Sequence, residues 1–293
     1  MEQLLLYPIL KHNTIPSLIK WTGSKRSQAV SIAQQMPQYK RYIEPFVGGG
    51  ALLYLCAVPG SVAGDIYEPL INLWRLIQKE PETVIKDYQL KWSFLNDELN
   101  SLNINKLERA SGIPRFYYMV RRRFNEIKDP LDLNFLMRTC VNGIARFNDD
   151  GDFNNSFHLS RRGMEPQRFE KIVNSWYTAI KDVHFVCQDY TKTVAAADKN
   201  DFVYFDPPYA GNKQRYTKDL DLEKFFSTLD NLNSRGVMWA LSFDGWRGGK
   251  DLTHAVPKSL FKRKLLLTSG NSAINKVLNG QVELVEESLY LNW

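Results

Sequence analysis

Short apolar runs recur along the chain, each cut off by a turn residue. They predict strands at 42–44, 61–64, 183–188, 201–205 and 236–245, with 260–267 and 282–291 as a closing antiparallel pair. Helical spacing of apolar positions fills much of the rest, at 28–36, 75–95, 116–124 and 222–233, with a further helix after the glycines at 48–50. Strands alternating with helices imply an open α/β sheet covered by helices on both faces. From about Asn72 to Trp176 the pattern changes to helices and cationic residues, which reads as an insertion between two parts of that sheet.

One predicted strand ends abruptly. Asp201-Phe202-Val203-Tyr204-Phe205 runs into Asp206-Pro207-Pro208-Tyr209, and two prolines can continue neither a sheet ladder nor a helix. Asp206 therefore sits at the carboxyl end of a buried strand, the edge where open α/β sheets bind ligands. A flat nitrogenous ring could be gripped there, with the carboxylate taking one N–H, the Pro207 carbonyl the other, and Tyr209 stacking on the face. A rigid turn after a core strand explains the same residues equally well.

Two other strand ends carry similar signals. Glu44-Pro45-Phe46-Val47-Gly48-Gly49-Gly50 is a strand, a glycine turn and a helix start, and Asp65 closes the next strand. That acid falls near the spacing, about 20 residues, at which nucleoside-binding folds hold ribose hydroxyls. The glycines do not follow GxGxxG, so a nicotinamide dinucleotide fits poorly. A tight turn with a surface acid is the competing explanation. Asp189 repeats the arrangement after 183–188.

Within the insertion, Arg121-Arg122-Arg123 is a run of three cations, and Asp150-Gly151 marks a hairpin flanked by Asn142, Arg146 and Asn148. These side-chain types make bidentate contacts to base edges, although solvated residues on a surface hairpin are the simpler reading in isolation.

Composition adds a partner class. The formal charge is +6 and aromatic residues make up 13% of the chain, which suits a polyanion. The 3 cysteines, Cys56, Cys140 and Cys187, lie scattered in apolar runs and read as reduced core thiols of a cytoplasmic protein. No apolar run approaches membrane-spanning length. The 4 histidines lack ligand spacing and CxxC is absent, so no metal site is expected. A zinc-deaminase signature, GxSxG and a Walker lysine loop are also missing.

Taken in order, Lys20-Trp21-Thr22-Gly23-Ser24-Lys25, the Glu44–Gly50 segment, Gly64-Asp65, Asn142-Gly143 with Arg146-Phe147-Asn148 and Phe153-Asn154, and Asp206-Pro207-Pro208-Tyr209 make the chain resemble the Dam-type DNA adenine-N6 methyltransferases of the D12 class. The resemblance implies a Rossmann-like methyltransferase sheet formed by 1–74 and 177–293, and a mostly helical target recognition domain with a β-hairpin at 75–176. It implies S-adenosylmethionine as donor, held by Trp21, Lys25, Glu44, Phe46, Gly48, Gly50, Asp65, Asp189 and Asp206. Asp206, Pro207 and Tyr209 would be catalytic on a flipped-out adenine of double-stranded DNA. Arg122, Arg123, Asn142, Arg146 and Asn148 would touch DNA, and a monomer is the expected state.

Two stretches depart from Dam proteins that read GATC. Val141 stands where they carry an aromatic, and Asn155-Ser156-Phe157-His158-Leu159-Ser160 replaces Val-Pro-Phe-Gly-Arg-Tyr. Both fall in the recognition hairpin, so the target sequence is not assigned to GATC. The segments Leu241–Arg247 and Glu287-Ser288-Leu289-Tyr290 also differ, which suits a phage or restriction-system relative, the latter with a partner endonuclease. Cytosine-N4 enzymes usually carry Ser-Pro-Pro-Tyr, so Asp206 favours adenine. The alternatives are an RNA adenine or cytosine-N4 methyltransferase, and a DNA-binding regulator that has kept the fold and lost catalysis.

Overall fold

A computed structural model describes residues 15–102, 113–208, 220–247, 250–251, 256–269 and 285–293. At its centre, β1 (Arg41–Glu44) is flanked by β2 (Val62–Asp65) and β4 (Asp201–Phe205), with β3 (His184–Cys187) and β5 (Met238–Arg247) further out. These five strands are parallel. A short β6 (Lys250–Asp251) pairs with β5, and the sheet is completed by the antiparallel β7 (Arg263–Ser269) and β8 (Val285–Leu291), in the order β3-β2-β1-β4-β5-β8-β7. Succession from β1 to β3 moves one way, and β4 then starts on the other side of β1. The crevice between β1 and β4 is therefore the topological switch point, where such sheets bind ligands. This is the expected Rossmann-like arrangement, closing hairpin included.

Strand β4 shows why the apolar run is unbroken. Phe202 and Tyr204 enter one core, whereas Val203 and Phe205 enter a second core on the opposite face. A strand buried on both faces needs apolar residues at every position. The second core is closed by α9 (Leu222–Ser234), whose Phe225, Leu229 and Leu232 face inward and whose N-cap Asp221 accepts from the Lys224 amide at 3.0 Å.

The first core extends into the inserted segment. After α1 (Ala29–Ala33) and α2 (Ala51–Cys56) come α3 (Glu68–Lys79), α4 (Pro81–Ser101), α5 (Arg115–Ile127), α6 (Pro130–Thr139) and α7 (Pro166–Ile180), then the short α8 (Tyr190–Thr193). Helix α3 buries Leu70, Leu73, Trp74 and Ile77 at helical spacing, and α7 buries Phe169, Val173, Trp176 and Ile180. Residues 75 and 176 fall inside these two helices, which pack on one another and on the sheet side of the core.

The single helix expected at 75–95 is two helices. Glu80 leaves helical geometry and Pro81 starts α4, because a proline ring clashes with the preceding turn but fits a helix's first position. Cys187 also departs from expectation: Cys56 and Cys140 are buried, but Cys187 is exposed. It lies at the carboxyl end of β3, the edge strand of the sheet.

Candidate active site

Asp206 follows β4 directly, and Lys25 reaches it from the loop before α1. The Lys25 ammonium lies 2.7 Å from Asp206 Oδ1 and 3.7 Å from Glu287 Oε2, and it also donates to the Gly23 carbonyl at 3.1 Å. Lys25 is only 4% exposed and Asp206 18% exposed. Desolvation pushes the Asp206 carboxyl up to about 6, while Lys25 pulls it back and Glu287 adds to the rise. Beneath it, the Tyr204 hydroxyl shares a 2.7 Å hydrogen bond with Ser242. Pro207 is buried beside Asp206, whereas Tyr209 and the polar stretch to 219 lie outside the described residues.

Glu44 ends β1, next to β4. The Tyr42 hydroxyl donates to Glu44 Oε2 at 2.9 Å, yet complete burial pushes this carboxyl well above its usual range. The chain then turns through Gly48 and Gly50, with φ of 45° and 63°. A Cβ at Gly48 would stand 2.7 Å from Trp21 Cδ1, and one at Gly50 3.0 Å from Trp74 Cζ2. Both positions thus need glycine for backbone conformation and for close packing. The Trp74 indole donates to the Gly48 carbonyl at 3.1 Å, fixing the turn from behind.

Asp65 closes β2 beside that turn. Its carboxylate accepts from the Gly48 amide at 3.3 Å and the Tyr67 amide at 3.0 Å, and burial raises it to about 6. Phe46 stacks on Tyr190 with centroids 5.3 Å apart, forming an aromatic wall. Asp189 caps α8, accepting from the Thr191 amide at 3.0 Å and its hydroxyl at 2.5 Å, with Lys224 at 3.4 Å. Trp21, Lys25, Glu44, Phe46, Gly48, Gly50, Asp65 and Asp206 come together along the ends of β1, β2 and β4; Asp189 stands further out, after β3.

The hairpin of the insertion is irregular but present. Isolated bridges join Cys140 to Phe157 and Phe147 to Phe153. At its tip, Asn148 Oδ1 accepts from the Asp152 amide at 2.7 Å. Arg146 is exposed and donates through Nε to Asn154 Oδ1 at 2.8 Å and through one terminal nitrogen to the Asn154 carbonyl at 3.1 Å, which leaves its other N–H groups facing outward. Asn142 is exposed with φ 57°. On α5, Arg122 is exposed, whereas Arg123 makes a two-nitrogen ion pair with the fully buried Asp132 that Lys91 shares at 2.7 Å.

Several residues at the site escaped the sequence reading. Tyr67 bridges Trp21, 5.8 Å away, and Phe147 of the hairpin, 5.3 Å away, so an aromatic chain links the glycine turn to the insertion. The buried Arg138 reaches the Ser17 and Leu18 carbonyls and tethers the opening loop to α6. Glu287 arrives from β8, far away in sequence. Only the aromatic excess hinted at the first of these, and a contact made by the fold leaves no local signal for the others.

A mostly parallel sheet with a glycine turn, an acid closing β2 and an Asp-Pro-Pro strand end around its switch point has the build of a Rossmann-like methyltransferase. Residues 21–263 match the family described as D12 class N6 adenine-specific DNA methyltransferase, and the chain belongs to it. It is 31% identical over 258 residues to the type II methyltransferase M.MjaIII of Methanocaldococcus jannaschii, covering 78% of this chain and 84% of that protein. It is also 31% identical over 214 residues to the DNA adenine methylase of Haemophilus influenzae, covering 71% and 68% respectively. The DNA N-6-adenine-methyltransferase of Escherichia phage P1 is 28% identical over 253 residues, covering 81% of this chain and 31% of the longer phage protein. The enzyme is thus an adenine-specific DNA methyltransferase. Among the described residues no helix is long and apolar enough to cross a membrane.

Proposed function

We propose that Asp206 and Pro207 form the methyl-transfer centre, with S-adenosylmethionine held in the crevice between β1 and β4. The observation that carries this reading is the position of Asp206, at the end of β4, ion-paired to Lys25 and beside the glycine turn. The donor set suits a cationic nucleoside. Asp65 is placed for a ribose diol, Phe46 and Tyr190 offer a ring face, and the charged groups around Lys25 carry an excess of negative charge. When bound, S-adenosylmethionine supplies a methyl group on a sulfonium leaving group.

The protein's own task is to prepare and place the adenine amine. Its lone pair is conjugated into the ring and is weakly nucleophilic. The Asp206 carboxylate accepts one N6 hydrogen and the Pro207 carbonyl the other, which favours a more tetrahedral nitrogen. Lys25 keeps Asp206 in its ionised, accepting form. In-line placement then accounts for the remaining barrier reduction. An adenine inside a duplex cannot reach this crevice, so it is flipped out, and Tyr209 is assigned as its stacking partner.

Segment 75–176 is assigned to target recognition. Arg146, pre-oriented by Asn154, with Asn142 and Asn148 reads base edges from the hairpin, while Arg122 meets phosphate. With Val141 and Asn155–Ser160 in that hairpin, the target is not assigned to GATC.

The test is transfer from labelled S-adenosylmethionine to unmethylated genomic DNA, with the modified bases located by single-molecule sequencing. N6-methyladenine at one recurring motif is the expected product. Label in RNA or on cytosine N4 would overturn the substrate assignment, and absence of both donor binding and transfer would leave a DNA-binding regulator.

A further inference from the structure

Glu287 is a charged group that the reading above counts only in the overall charge around Lys25. It sits on β8, opposite Gly245 of β5 and Leu267 of β7, just past an irregularity of β5 between Ser242 and Gly245. Its side chain is 19% exposed and reaches back across the sheet to within 3.7 Å of the Lys25 ammonium. Oε2 is buried and has no hydrogen-bond partner among the described residues. A buried carboxylate oxygen facing an ion pair without a hydrogen bond of its own is costly to the fold, which calls for a functional reason.

The charges around it supply one. Burial pushes the Glu44 carboxyl well above its usual range, and the Tyr204 hydroxyl shares its hydrogen bond with Ser242. Among the described residues, the ion pairs at the centre join Lys25 to Asp206 and to Glu287. Lys25 balances Asp206 at 2.7 Å, and Glu287 adds one negative charge in excess. Without Glu287 the group would be neutral. The reaction converts a sulfonium into an uncharged thioether, so the ligand loses one positive charge while the rest of it keeps its shape.

We propose that Glu287 is a charge-selecting residue of the donor site: its excess negative charge favours the cationic methyl donor over the neutral thioether product. The inference rests on placing S-adenosylmethionine in the β1/β4 crevice. It gives β8 a role in turnover, because a site that holds the sulfonium more tightly than the thioether loads donor in the presence of product and then releases product readily. Glu287 acts through the field it places on the site and through Lys25, not by touching the reacting atoms.

The test is equilibrium binding of S-adenosylmethionine and S-adenosylhomocysteine to the full-length wild type and to Glu287→Gln, which removes the charge and keeps the shape. The ratio of the two affinities should fall by roughly ten-fold in the variant, chiefly through weaker donor binding. Glu287→Asp, which keeps the charge, should restore most of the ratio. An unchanged ratio in folded Glu287→Gln overturns the inference, as does an equal loss for both ligands. If Glu287→Gln does not fold, Glu287→Met, a neutral side chain of similar length that leaves no polar atom to bury, decides, and an unchanged ratio there is equally fatal. Failure of wild type to bind either ligand would instead overturn the donor assignment itself.

Discussion

Replacing Lys25 by Met should move the acid limb of methyl transfer upward in pH. In the centre proposed above, Asp206 must be ionised to accept the N6 hydrogen, so activity should be lost as pH falls through its pKa. With that value at about 6, roughly nine-tenths of the wild-type enzyme is competent at pH 7. The Lys25 ammonium, 2.7 Å from Oδ1, opposes the desolvation that raises the carboxyl. An opposite charge at this range typically lowers a carboxyl by about 1–3 units. Its removal therefore puts the limb between about 7 and 9, a change of about 1.4–4 kcal/mol in the balance of the two forms. At pH 7 the competent fraction falls to between about one-half and about one-hundredth, and raising the pH restores it. The assay is single-turnover transfer at saturating donor across pH 5–9. Saturation matters because Asp65, also raised to about 6, would otherwise bring its own titration in through donor binding. A limb at the same pH in wild type and Lys25→Met would refute the role given to the ion pair.

Further perturbations separate the remaining roles. Asp206→Asn should abolish transfer and leave DNA affinity within about two-fold, read by gel shift beside the transfer assay, because the acid acts on the amine alone. Arg146→Ala should lower discrimination at one base pair by about 1–3 kcal/mol; a selection experiment returning the same motif with the same stringency would remove it from base reading. Arg122→Ala should reduce the salt slope of DNA binding by about 1 and leave the melting temperature unchanged. Arg123→Ala should destabilise the fold by about 1–3 kcal/mol, since it strips a partner from the buried Asp132; chemical denaturation showing no loss would count against that structural pairing. Gly48→Ala should weaken donor binding, because the added methyl collides with Trp21 and the backbone there has positive φ; unaltered donor affinity would mean the turn can adjust.

The residues that proved legible share a property: each is fixed by local backbone chemistry. Asp206 could be placed because Pro207-Pro208 ends any strand, and the glycine turn because only glycine allows its conformation and its contact with Trp21. The run 201–205 was readable as a fully buried strand because its two faces enter two cores. Helix α6 went unread, since its apolar positions surround the whole helix: Leu133, Asn134, Phe135, Leu136 and Met137 are all buried, leaving no periodic face. Arg123 and Arg122 are neighbours in a cationic run and both are exposed, and nothing in the run says that one of them pairs with a buried acid. Asp132, the residue that captures Arg123, lies beyond a helix break at Lys128–Asp129. Likewise, Cys187 looked like Cys56 and Cys140 in its apolar neighbourhood; only the strand order shows that β3 is an edge.

Asp206 and Glu287 illustrate the limit in one site. The first is announced by its own sequence; the second becomes meaningful only when β8 inserts antiparallel between β5 and β7 and brings a distant carboxylate back toward Lys25. A parallel sheet ending at β5 would leave that side of the centre open. The closing hairpin removes an exposed edge from β5, and by running the opposite way it also delivers a side chain to the carboxyl ends of the parallel strands from its own amino-terminal part. The same strand reversal therefore serves stability and charge. That is why a substitution in a closing strand, which sequence alone would assign to packing, is expected to alter how the enzyme distinguishes donor from product.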